Sequence, residues 1–109
     1  MLTEIARLAE TAAQRVRDSI SSDYLQQLEP VDIHCWDAPG EKFWCLTWRA
    51  TWKDKDVSTF QVVYPEQYIF QEGMHYVLGR TVSRLMREVF ELQQEEIEQE
   101  PYPWQMPPR

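Results

Sequence analysis

The sequence predicts an α+β fold: an N-terminal helix, a three-stranded antiparallel β-meander and a long C-terminal helix, with the helices packed on one sheet face. Three observations carry this. In residues 43–53, FWCLTWRATWK, the residues Trp44, Leu46, Trp48, Ala50 and Trp52 fall on alternate positions, the period of a strand with one dry face. Leu2, Ile5, Ala9, Ala12 and Val16 recur at helical spacing, and so do Leu78, Val82, Leu85, Val89 and Leu92. The tryptophan strand buries the most apolar area of any strand in the chain, at about 150–250 Å² per aromatic ring, so the other elements are expected to cover it.

The first helix spans residues 2–18, its stripe widened by Ala6, Ala13 and Ile20. Ser19, Ser21, Ser22 and Asp23 interrupt the pattern and suit the cap of a second short helix that holds Tyr24, Leu25 and Leu28 and closes at Pro30. Val31, Ile33 and Cys35 alternate with Asp32, His34 and Trp36 as the first strand, and residues 37–42 supply a hairpin loop around Pro39-Gly40. After the tryptophan strand, residues 53–56 form a charged turn and residues 57–64 a third strand that ends at Pro65. Opposing Ala50 to Phe60, Trp48 to Val62 and Leu46 to Tyr64 collects the apolar residues on one face, with Val31, Ile33, Cys35 and Trp44. His34, Trp36, Phe43, Cys45, Thr47, Arg49, Thr59, Gln61 and Val63 share the other, mixed face.

Residues 65–73 fit either a short helix opened by Pro65 or a brief strand through Tyr68, Ile69 and Phe70. The long helix covers residues 74–98. It retains Gly79 at a cost of about 1 kcal/mol relative to alanine, and Met86, Phe90 and Ile97 form a second stripe beside the first. Its acidic end, Glu95, Glu96, Glu98 and Glu100, opposes the helix macrodipole and invites something basic. Residues 1–100 make one domain, and residues 101–109, PYPWQMPPR, an extended proline-rich tail.

The formal net charge is −7 and the isoelectric point about 4.7, which argues against a duplex-DNA binder. No apolar run approaches a membrane span, and charged residues break up the N-terminus where a signal peptide needs an apolar core. A cytoplasmic protein with reduced thiols is expected, Cys35 buried and Cys45 half-exposed. His34, Cys35, Cys45 and His75 are the only soft metal ligands; their spacing matches no zinc motif, and no metal or cofactor is expected. A Cys45–His34 pair on one sheet face is the single nucleophilic constellation, and no positive neighbour is guaranteed to activate it. Arg80, Arg84 and Arg87 form a basic strip, most simply a solvated face with Arg84–Glu88 and Arg87–Glu91 pairs.

These features point to a non-catalytic protein-interaction module: an adaptor, chaperone or inhibitor acting by surface occlusion. An inhibitor of a nucleic-acid enzyme, of the kind mobile elements encode, belongs to that class. The candidate contacts are Trp36, Phe43, Arg49, Met86, Phe90, Glu95, Glu96, Glu98, Tyr102 and Trp104. The second stripe of the long helix, with nothing obvious to cover, predicts a homodimer through that helix. Alternatives are a single-stranded nucleic acid or small-ligand binder that uses the outer sheet face with Lys53 and Lys55, and a thiol-dependent enzyme that uses Cys45.

Overall fold

The computed structural model describes residues 1–97, with side chains as far as Glu91. The order is α1 (Leu2–Ser19), β1 (Leu25–Ala38), β2 (Glu41–Trp52), β3 (Val57–Pro65), α2 (Glu66–Glu72) and α3 (Met74–Ile97). The strands form an antiparallel sheet in the order β1-β2-β3. The buried residues of all three helices join Trp44, Leu46, Trp48, Ala50 and Trp52 in one core, so the helices lie on the tryptophan face as the sequence predicts. No helix among the described residues is long and apolar enough to cross a membrane.

Trp48 is the centre of that core, with no exposed surface. Its indole N–H donates to the Ala9 carbonyl of α1 at 3.0 Å. Ala9, Ala12 and Ala13 are also fully buried, and their short side chains let the helix backbone come down onto the ring. Leu8 joins the packed side of α1, whereas Leu2, placed on the stripe by its spacing, is exposed. At the far end of α1, Arg17 donates to the Leu28 carbonyl and ties the last turn to β1.

The short helix expected around Leu25 and Leu28 does not form; both residues begin β1, and both are buried. Register shifts at Gln26 and Val31 explain the misreading. Each bulge inserts one residue, so the inward side chains are Leu25, Leu28, Pro30, Ile33 and Cys35, spaced three, two, three, two, which hides the period of a strand. Val31 is the extra residue of the second bulge and is exposed rather than on the dry face. Pro30 does not end a segment, because an edge strand beside a bulge tolerates its missing N–H.

The β2–β3 faces fall as predicted, but the register is two residues tighter: Trp48 opposes Phe60, Leu46 opposes Val62 and Trp44 opposes Tyr64. The turn sets this. The Trp52 N–H reaches the Asp56 carbonyl and the Lys55 N–H reaches the Trp52 carbonyl, with Lys55 at φ 71°. That is a three-residue hairpin with its last residue left-handed. A shift of two leaves every side chain on its own face, so pattern alone did not distinguish the two pairings.

Residues 66–72 take the helical alternative, and Gly73 at φ 88° turns the chain into α3. Gly79 lies inside α3, as expected. The buried line of α3 is Val77, Thr81, Leu85 and Val89, while Leu78, Val82 and Met86 flank it, partly buried against the core. Thr81 makes that line possible by satisfying itself. Its hydroxyl is 2.7 Å from the Val77 carbonyl and 2.7 Å from the Tyr64 hydroxyl. A threonine has one proton, which goes to the carbonyl, so the Tyr64 hydroxyl donates to Thr81.

The two sheet edges differ. β1 carries two bulges, Pro30 and the charges of Glu29, Asp32 and Asp37. β3 pairs with β2 without a shift and has no charged residue. Counting in alternate steps from the Trp52–Asp56 bond, Val57, Thr59, Gln61 and Val63 turn their backbone groups outward along that edge.

Candidate functional site

With every described helix on one side, the opposite sheet face is uncovered among the described residues, and its rows follow from the register. At one end Trp36 opposes Phe43, and the rings stack with centroids 5.5 Å apart at 19°. His34 leans on Trp36 at 5.8 Å, so the three rings form one cluster. The next row is His34, Cys45 and Val63, then Asp32, Thr47 and Gln61, then Glu29, Arg49 and Thr59. Trp36 is 40% exposed and Val63 45% exposed, far more than the tryptophans of the other face.

Arg49 shares this face but not the cluster. It lies six residues along β2 from Phe43, about 20 Å at strand rise, and its guanidinium is 2.7 Å from Glu29. Lys53 and Lys55 sit still farther away, in the turn beyond β2. The basic and aromatic parts of the predicted nucleic-acid surface are therefore at opposite ends of the sheet. Asp32 adds negative charge between them, with its Oδ2 2.6 Å from His34 Nδ1.

The cysteines exchange their expected roles: Cys35 is exposed and Cys45 is buried. Cys35 faces the helix side, but no residue of β1 from Ile33 onward is fully buried, since the cover by α1 ends near Pro30 and Ile33, beside Ala6 and Glu10. Cys45 faces the open side and is fenced by its neighbours on the flanking strands, His34 and Val63. His34 does stand directly opposite Cys45, with Asp32 orienting the imidazole. Cys45 is only 3% exposed, however, and no hydrogen bond joins its thiol to the ring among the described residues. No group of three or more His, Cys, Asp or Glu side chains among the described residues is placed to hold a metal ion.

Compared with known protein families, with curated proteins and with solved structures, the chain matches none of them.

Of the other predicted contacts, Met86 is partly buried against the core and Phe90 is 49% exposed. Glu95 and Glu96 belong to the last turns of α3, where side chains are not described; Glu98, Tyr102, Trp104 and the tail of residues 101–109 lie outside the described residues. The His34–Trp36–Phe43 cluster is what sequence reasoning misses as a unit, since a histidine there reads first as a ligand or base. The signal was present in the alternation of His34 with Trp36 across a Pro-Gly turn from Phe43.

Proposed function

We propose that this chain is a non-catalytic interaction module that docks its open sheet face on a basic protein surface and works by covering it. The observation that carries the reading is the Trp36–Phe43 stack, held on a face that no described helix covers. Aromatic pairs of this kind are the usual anchors of protein interfaces. Charge complementarity indicates the partner: the net charge is −7, and the one arginine of the face is paired with Glu29, while Asp32 is met only by the His34 imidazole. Proteins that bind nucleic acid present such basic surfaces, so an inhibitor of a nucleic-acid enzyme remains within this proposal.

The test is a purified complex. A basic partner recovered with the parent chain is mapped by cross-linking, and its affinity is measured for Trp36→Ala and Phe43→Ala. Both should weaken it by at least tenfold, an ordinary anchor loss, with the melting temperature held, and added salt should weaken it further. A partner that binds these variants like the parent sinks the reading.

A further inference from the structure

On the helical side of the molecule, α3 and α1 border a groove of about 630 Å³ that four arginines line: Arg15, Arg80, Arg84 and Arg87. The chain has 11 basic residues against 18 acidic ones, yet no carboxylate lines this groove among the described residues. Arg84 is 3.5 Å from Glu88, while Arg15, Arg80 and Arg87 form no ion pair among the described residues. The Tyr76 side chain beside it raises the Arg80 pKa above the ordinary value.

A row of arginines on a helix is usually a solvated face. Three features set this one apart. The fourth arginine comes from another helix, so the basic groups converge on a concavity. Gly79 lies in its lining although glycine weakens a helix, and a Cβ there would meet nothing within 4 Å. Packing therefore does not require the glycine; its effect is to leave the floor bare between Tyr76 and Ser83, about one turn to either side. Finally, Arg80, Arg84 and Arg87 extend about 10 Å along the helix axis at 1.5 Å per residue, too long a row for a single small anion. Guanidinium forks match phosphate oxygens in pairs.

We propose that this groove binds a phosphate chain, either the polyphosphate of a nucleotide or the phosphodiester backbone of a single strand. It lies on the helical side and does not depend on the reading of the sheet face.

The experiment is calorimetric titration of the full chain at low salt with inorganic tripolyphosphate, a nucleoside triphosphate and a single-stranded oligonucleotide. Tripolyphosphate should bind saturably and weaken as salt rises. Arg80→Gln with Arg87→Gln should lower its affinity at least tenfold, and Arg49→Gln, on the opposite face, should leave it unchanged. All three residues are exposed, so the variants should fold. A nucleotide that binds more tightly than tripolyphosphate assigns the first source. An oligonucleotide that does so, with a salt slope that falls in the double variant, assigns the second. The proposal is overturned by no saturable binding at millimolar tripolyphosphate, by a double variant that binds like the parent, or by a polyglutamate peptide that binds as tightly as tripolyphosphate.

Discussion

Replacing Trp48 with alanine removes the side chain on which α1 and the sheet meet. The indole is fully enclosed, and about 150–250 Å² of aromatic surface at roughly 25 cal/mol per Å² is worth about 4–6 kcal/mol as an upper estimate. Truncation of buried aromatics costs about 3–5 kcal/mol in practice, and that is the expected loss. Against a total stability of about 5–15 kcal/mol for a domain of this kind, it is a large share. Trp48→Phe isolates the polar part. It keeps a ring but loses the hydrogen bond to the Ala9 carbonyl, which retains its helical partner, so about 2 kcal/mol is expected from the bond and the missing volume. Trp44→Phe is the control, because the buried indole N–H of Trp44 has no partner among the described residues. Deleting an unsatisfied donor offsets the lost volume, so this variant should cost less than Trp48→Phe. Urea unfolding followed by far-ultraviolet circular dichroism, analysed with a common slope, measures all three. A loss below about 1 kcal/mol for Trp48→Ala, or Trp44→Phe costing more than Trp48→Phe, would refute the reasoning.

Four further outcomes are expected. Thr81→Val leaves the buried Tyr64 hydroxyl without its acceptor and should cost about 1–3 kcal/mol, more than Tyr64→Phe, which leaves the Thr81 proton on Val77; unfolding midpoints that reverse the order would reverse the proton assignment. Burial is the main cause that raises the Tyr64 pKa, so the folded state holds that proton more tightly. Stability from this group is complete below the unfolded value of about 10 and is lost as pH climbs from there toward the folded value; Tyr64→Phe should flatten that alkaline decline in denaturation curves. Gly79→Ala should stabilise by about 0.5–1 kcal/mol, since the site is helical and open, and a lower melting temperature would contradict it. Self-association through α3 now rests mainly on Phe90, about half exposed, because Met86 is partly buried against the core; Phe90→Glu should give a folded monomer in sedimentation, and a parent already monomeric at high concentration removes the idea.

The elements with an unbroken period were legible in the sequence. Alternation from Phe43 to Trp52 gave β2 and both its faces, and helical spacing gave α1 and α3. β1 was half lost because two bulges converted its period into the three-two spacing of Leu25, Leu28, Pro30, Ile33 and Cys35. The β2–β3 register depended on the left-handed Lys55, a residue type that does not announce that conformation. In the candidate site, Trp36 and Phe43 were legible as sharing one face. The cysteine exposures were not, since they depend on where the cover of α1 stops and on what flanks a central strand.

The unequal edges of the sheet limit how these molecules can join strand to strand. Among the described residues, only β3 offers an uninterrupted row of outward-turned backbone groups, from Val57 to Val63. A chain that lends this edge to another has none left to lend, because the bulges, Pro30 and the carboxylates of β1 refuse a second neighbour. Strand addition would therefore close after one step. Among the described residues, an uncharged edge on one side of the sheet is thus set against a bulged, charged edge on the other.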